Sequence, residues 1–134
     1  MNNNSLSPEL LRVIDANLNR LKEGIRVVED ILRYKENNKD LARKLKSLRH
    51  QAITENTKEL LQYRDSINDV LRPSTSSEQQ RTDLEAIIIA NLKRAQESSR
   101  VLEELYKLGD VKESEKFKSI RYELYNLEKE ILLA

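Results

Sequence analysis

Hydrophobic residues recur along this chain at alternating intervals of three and four positions, a pattern typical of amphipathic α-helices. The pattern occurs twice with similar residues, because the stretch 16–30 returns 74 positions later as 90–104. The two inward helix faces consist of Ile14, Asn17, Leu21, Gly24, Val28 and Ile31 in the first copy, and of Ile88, Asn91, Ala95, Ser98, Leu102 and Leu105 in the second. We therefore predict two long helices related by an internal repeat.

The segments that follow the two copies also match, since residues 44–50 return as 116–122, 72 positions later. No segment alternates with the period of two that strands require. We predict an all-α fold, a four-helix bundle made of two duplicated helical hairpins (7–62 and 78–134) joined by a longer crossover (63–77). The whole chain, 1–134, is expected to form a single domain.

Local signals set the expected helix ends. Ser7 and Pro8 predict the start of the first helix, which should run to about residue 34. Asn37 and Asn38 predict a tight turn before a second helix over 39–62. A capping box over 77–80 should open the third helix, which Gly109 should stop at about residue 108, and Asp110 should cap the fourth.

Composition narrows the classes of function. Lys and Arg total 24 and Asp and Glu 23, a net charge of +1 that argues against a nucleic-acid partner. The chain has no cysteine, and no stretch has the ~20 apolar residues of a membrane span. We expect no membrane partner and a cytoplasmic location.

The inward faces carry polar and small residues where a plain bundle has large apolar ones. Asn17 and Asn91 occupy the same position of the repeat. Gly24 and Ser98, two turns further along the same faces, have small side chains or none. These asparagines either line a polar binding site between the two helices or fix the register of helix pairing.

Arginines accompany these faces. Arg20 and Arg94 lie one turn from each Asn and are candidate ligand-binding residues, whereas Glu23 and Glu97 have the spacing of ordinary surface ion pairs. Arg49 borders the face of the second helix, where an arginine either extends to solvent or presents its fork to an anion. The single histidine, His50, is a weaker candidate, because a lone histidine is more often incidental than catalytic.

The crossover concentrates charge. Arg64, Asp65, Asp69 and Arg81 fall within eighteen residues, and the two aspartates offer the oxygen ligands that Mg²⁺ prefers. The alternative is a solvated loop with aspartates that form turns. The chain has only two glycines and no phosphate-binding glycine loop, so Arg, Lys and helix N-termini would have to hold any phosphate.

An ordered set of phrases spans nearly the whole chain: Asp15-Ala16-Asn17-Leu18-Asn19-Arg20, Glu23-Gly24-Ile25-Arg26-Val27-Val28-Glu29, Leu48-Arg49, Arg64-Asp65-Ser66-x-x-Asp69-Val70, and Ala90-Asn91-Leu92-Lys93-Arg94-Ala95-Gln96-Glu97. This set resembles the helical domain often fused ahead of thiamine phosphate synthase, which is known as a monofunctional hydroxymethylpyrimidine phosphate kinase.

The resemblance implies ATP-dependent phosphorylation of hydroxymethylpyrimidine phosphate to the diphosphate in thiamine biosynthesis, by a phosphomethylpyrimidine kinase. It implies ATP and Mg²⁺ as cofactors, a pyrimidine phosphate and a nucleotide as small-molecule partners, and thiamine phosphate synthase as a functional partner. Phosphoryl transfer depends mainly on positioning and charge neutralisation.

The working hypothesis gives each candidate a role. The asparagines bind the pyrimidine, the arginines hold phosphates, and the crossover carries the catalytic and metal-binding residues. The full candidate set is Arg64, Asp65 and Asp69 as catalytic residues, Asp65 and Asp69 as Mg²⁺ ligands, and Asn17, Arg20, Glu23, Arg49, His50, Arg81, Asn91, Arg94 and Glu97 for binding.

Two other classes of function stay open at this point. One is a non-catalytic helical bundle that docks a partner. The other is an arginine-rich all-helical enzyme of the chorismate mutase type, which needs neither nucleotide nor metal.

Overall fold

The computed structural model describes residues 6–79 and 81–134, without the side chain of Ser77, and this part of the chain contains no strand. The helices are α1 (Pro8–Asp30), α2 (Lys39–Gln51), α3 (Thr57–Gln62), α4 (Ser76–Gln79), α5 (Leu84–Tyr106) and α6 (Val111–Leu133), and a π-helical segment (Ile31–Lys35) directly follows α1. The all-α prediction is confirmed. Within the described residues, no helix is both long and apolar enough to span a bilayer.

The four main helices form a ring in the order α1, α2, α6, α5, because α1 packs against α2 and α5, and α6 packs against the same two helices. Helices α2 and α6 run antiparallel: Lys44 pairs with Glu130 near one end, and Lys116 donates a hydrogen bond to the carbonyl of Ile53 near the other. The predicted bundle is therefore the observed architecture.

Helix starts follow from side chains that accept hydrogen bonds from free backbone N–H groups. Ser7 Oγ accepts from the N–H of Leu10 at 3.2 Å, with Pro8 as the first helical residue. Asn38 caps α2 and Asp110 caps α6 in the same way. These starts agree with the sequence-based prediction.

The predicted second helix over 39–62 is wrong in its second half. Helix α2 ends at Gln51, Ala52 leaves the helical conformation with ψ 55°, and α3 begins only at Thr57. The intervening residues include β-branched Ile53 and Thr54, and the Thr57 hydroxyl donates a hydrogen bond to the Thr54 carbonyl. Such local bonds compete with helical ones and end the helix early.

The third helix also begins later than predicted. Helix α5 starts at Leu84, where Asp83 Oδ1 accepts from the N–H of Ala86 at 2.8 Å. The predicted capping box falls partly outside the described residues, because Gln80 and the Ser77 side chain are not described. A reciprocal cap forms instead between Thr75 and Glu78 at the start of α4.

The predicted end of the third helix, near residue 108, is slightly late. Helix α5 ends at Tyr106, and residues 107–109 form a turn. Its N–H and C=O groups close this turn, with the N–H of Asp110 donating to the Tyr106 carbonyl at 2.8 Å. The chain then enters α6 directly, so α5 and α6 form the tightly connected second hairpin.

Close packing of α1 against α5 occurs at Gly24. A Cβ added to Gly24 would lie 2.8 Å from the carbonyl oxygen of Asn91 and 3.4 Å from the Cβ of Ala95. The space that the missing side chain of Gly24 leaves is therefore filled by the backbone of α5.

Both hairpins are held by a buried ion pair at matching positions of the repeat. Arg49 donates to both carboxylate oxygens of Glu29 at 2.7 and 3.1 Å, and Arg121 donates two bonds to Oε1 of Glu103 at 3.2 and 2.7 Å. The hydrogen bonds to Glu29 raise the pKa of Arg49. Removal of one partner from such a buried pair typically costs about 3–5 kcal/mol, because the other charge is left uncompensated.

We predict that Gly24→Ala destabilises the protein by about 1–3 kcal/mol, because the new methyl group meets a backbone oxygen that cannot rotate away. In an exposed helix the same change would be stabilising. The measurement is urea unfolding, with Ser98→Ala as the matched control, since Ser98 occupies the equivalent buried position and already has a Cβ. Equal or higher stability of Gly24→Ala would show that the helices do not need this close approach.

Candidate functional site

The start of the crossover is tied to α1 by a two-bond ion pair. Arg64 Nε donates to Asp15 Oδ2 and Nη2 donates to Oδ1, both at 2.7 Å. One residue further on, Arg12 Nη2 donates to the carbonyl oxygen of Asp65 at 2.7 Å. The side chain of Asp15 is 9% exposed and that of Arg64 is 43% exposed, so the pair lies at the edge of the core.

The pair with Asp15 uses two of the three guanidinium nitrogens of Arg64. Its hydrogen bonds to Asp15 and the charge of that carboxylate raise the pKa of Arg64, and the charge of Glu23 adds to the effect. Arg64 Nη1 makes no hydrogen bond to any residue in 6–79 or 81–134. One edge of a fixed guanidinium group is therefore open to a ligand.

A cavity of about 250 Å³ lies beside the ion pair, between α1, α3 and the loop that precedes α3. Its apolar wall consists of Leu18, Ala52, Ile53, Leu60 and Leu61, and its polar groups come from Asp15, Asn19, Lys22, Thr54, Thr57 and Arg64. Sites for small molecules typically combine apolar walls with a few fixed polar groups in this way.

The predicted metal ligands are engaged in turns of the crossover. Asp65 accepts hydrogen bonds from the backbone and side-chain nitrogens of Asn68 at 3.1 and 2.7 Å, which lower the pKa of Asp65. Asp69 accepts from the N–H of Leu71 at 2.9 Å. Across the described ranges, no three His, Asp or Glu side chains converge as a metal site. The Mg²⁺ and ATP assignments stay predictions.

The two repeated asparagines bond to their own helices. Asn17 Nδ2 donates to the carbonyl of Val13 at 2.9 Å, and Asn91 Nδ2 donates to the carbonyl of Ile87 at 2.8 Å. Asn17 is buried and Asn91 is half-buried. Their positions in the repeat thus correspond to equivalent local geometry, and their role in binding stays a prediction.

The other predicted site residues are spread over several elements. Arg20 and Glu23 are exposed on α1, Arg94 and Glu97 are exposed on α5, His50 is exposed on α2, Arg81 precedes α5, and Arg49 is paired with Glu29. Of these, Glu23 lies near enough to Arg64 for its charge to raise the pKa of Arg64.

Asp15 and its cavity neighbours Asn19, Lys22 and Thr57 are not among the site residues predicted from the sequence. The available signal was a departure from the repeat, because the position that matches Asp15 in the second copy is Ile89. An acidic residue in the middle of an otherwise apolar helix face needs a partner, and here Arg64 supplies it.

The fold is an all-α bundle with a cavity of mixed polar and apolar lining beside the Asp15–Arg64 pair. The chain belongs to the ThiD2 family, whose family model matches residues 12–130. No solved structure matches the chain significantly.

Curated relatives carry the name thiamine-phosphate synthase. The protein of Synechocystis sp. is 40% identical over 124 residues, which cover 92% of this chain and 36% of that protein. The proteins of Prochlorococcus marinus subsp. pastoris and Rhodopirellula baltica are 40% and 37% identical over 98% and 97% of this chain, and over 38% and 36% of their own lengths. The chain thus spans just over a third of these relatives.

These names place the family in thiamine biosynthesis, as the resemblance implied. They contradict the predicted function, ATP-dependent phosphorylation of hydroxymethylpyrimidine phosphate by a phosphomethylpyrimidine kinase. The relatives are named for a different transferase, and their names do not indicate kinase activity. The kinase prediction is corrected accordingly.

We predict that Asp15→Asn loosens the attachment of the crossover, because the neutral amide cannot accept two charge-assisted bonds from Arg64. Hydrogen exchange of the amides in 63–72 should accelerate, while global stability falls by only about 1 kcal/mol, because the Arg64 side of the pair is 43% exposed to solvent. Asp30→Asn is the matched control, since Asp30 pairs with Arg26 on the same helix and far along it. Unchanged exchange in 63–72 would show that this pair does not hold the segment.

Proposed function

We propose that this chain acts in thiamine biosynthesis as the helical domain of a thiamine-phosphate synthase or as a separate partner of one, in the cytoplasm. The observation that carries the proposal is the similarity of more than nine-tenths of the chain to proteins of that name. Because the chain spans just over a third of those proteins, its contribution is that of one domain.

We further propose that the cavity beside Asp15 and Arg64 binds hydroxymethylpyrimidine phosphate. A pyrimidine ring is flat and carries nitrogen donors and acceptors, so it suits an apolar wall with amide and hydroxyl groups beside it. The cavity offers Leu18 and Leu60 for the ring, with the Asn19 amide and the Thr57 hydroxyl at its polar side.

The phosphate of this ligand requires positive charge. Arg64 presents its open Nη1 edge, held in place by Asp15, and Lys22 adds an ammonium group that forms no ion pair with the described residues. A guanidinium group fixed in advance loses little conformational freedom when the phosphate binds. The ion pair with Asp15 is thus proposed to position Arg64 for the ligand.

We predict that the intact chain binds hydroxymethylpyrimidine phosphate and that Arg64→Lys weakens this binding by about tenfold or more, because the planar fork is lost although the charge is kept. Isothermal titration calorimetry measures the affinity. Arg72→Lys is the matched control, since Arg72 is an exposed arginine of the same crossover. Equal affinities in all three proteins, or no binding to the wild type, would contradict the assignment of this cavity.

A second experiment, an activity assay of a chimera, tests whether the chain acts as a domain of a thiamine-phosphate synthase. When this chain replaces the matching third of the Synechocystis relative, the chimera should still form thiamine phosphate. A chimera that folds but forms none would count against the domain role. Activity in the chimera together with no pyrimidine binding by the chain would instead favour the non-catalytic interaction module.

A further inference from the structure

A second cavity, of about 470 Å³, lies on the first hairpin between the π-helical segment and α2. It shares none of the lining residues of the Asp15–Arg64 cavity. Its lining is strongly basic and consists of Glu29, Arg33, Asn37, Lys39, Ala42, Arg43 and Lys46.

The positive charge of this cavity is not compensated within the described residues. Lys39, Arg43 and Lys46 form no salt bridge or hydrogen bond with them, and Arg33 makes only a cation–π contact, 4.9 Å above the ring of Tyr34. The only acidic lining residue, Glu29, has 1% of its side chain exposed and accepts two bonds from Arg49. Four cationic groups therefore face one space with no free carboxylate in its lining.

Of the neighbouring acidic residues outside the lining, Asp30 and Glu36 are engaged in ion pairs, whereas Asp40, in the first turn of α2, forms none with the described residues. Asp30 pairs with Arg26 at 3.2 Å, and Glu36 pairs with Lys35 at 3.6 Å. Like charges that line one cavity repel one another, and the cost falls when an anion binds among them. An arrangement of this kind is stabilised by a ligand that carries several negative charges.

The second hairpin lacks this cluster although it is built on the same buried ion pair. At the 72-residue offset, Lys39 corresponds to Val111, Arg43 to Glu115, and Lys46 to Lys118. Packing of the hairpin thus does not require a basic residue at the positions of Lys39 and Arg43, whereas a lysine is retained at the position of Lys46.

The backbone around the cavity is also distinctive. Helix α1 widens into the π-helical segment Ile31–Lys35, and Asn37 has a positive φ of 52°. Here this segment carries Arg33 to the rim of the cavity, opposite the cations of α2.

We propose that this cavity is a binding site for a diphosphate group, either as free pyrophosphate or as an organic diphosphate. Two linked phosphates match four converging cations in charge, and the guanidinium groups of Arg33 and Arg43 present the fork geometry that phosphate oxygens accept. The site is independent of the proposed pyrimidine cavity, so either can fail without the other.

The test is calorimetric titration of the full chain with inorganic pyrophosphate at low ionic strength, and with an alkyl diphosphate in a parallel arm. We expect Arg43→Glu to weaken pyrophosphate binding by at least about tenfold, since it reverses one of the converging charges. This variant installs the residue that the second hairpin has at the equivalent exposed position, so circular dichroism should show an unchanged fold. Higher salt should weaken wild-type binding.

The matched control is Lys118→Glu, which reverses a charge at the position equivalent to Lys46 on the other hairpin and should change the affinity by less than about twofold. Tighter binding of the alkyl diphosphate than of pyrophosphate would identify the organic source, and the reverse would identify the free anion. No binding, equal affinities in the wild type and Arg43→Glu, or tighter binding of a single-stranded oligonucleotide than of either diphosphate would overturn the proposal.

Discussion

The contact between α1 and α5 at Gly24 is the constraint from which the rest of the bundle follows. The absence of a side chain there lets the carbonyl of Asn91 approach to a distance that no larger residue permits. With these two helices fixed against each other, α2 packs on α1 and α6 packs on α5. A buried arginine–glutamate pair holds each of these two contacts. Helix α3 and the start of the crossover pack on a further face of α1, where Arg64 binds Asp15.

The two hairpins share a scaffold but differ in chemistry. Both carry the buried ion pair and the Asn that bonds to its own helix. Asp15 and Arg43, however, have Ile89 and Glu115 as their counterparts in the second hairpin. Residues that repeat therefore hold the fold together, whereas residues that differ, such as Asp15 and Arg43, contribute to the lining of two cavities.

The sequence was sufficient to predict features that depend on local pattern. The spacing of apolar residues identified the inward faces of the long helices, and Ser7, Asn38 and Asp110 marked helix starts correctly. The break after Gln51 was missed because Ala52 is buried and continues the apolar pattern while its backbone leaves the helix.

Partners distant in sequence could not be predicted in the same way. Arg49 was considered as an anion-binding residue because periodicity does not reveal that Glu29, twenty residues earlier, faces it. A signal existed, since glutamate and arginine recur together at the repeat offsets as Glu103 and Arg121. The pairing of Asp15 with Arg64, 49 residues apart, has no such repeat and becomes visible only once the crossover is placed.

The central claim is that Asp15 positions Arg64 for a phosphorylated pyrimidine, and a double-mutant cycle tests it most directly. The affinity for hydroxymethylpyrimidine phosphate would be measured in the wild type, Asp15→Asn, Arg64→Gln and the double variant. If the two residues act as a unit, the double variant binds no more weakly than the weaker single variant, with a coupling energy of about 1–2 kcal/mol. Additive losses, or affinities that none of the changes alters, would contradict the account.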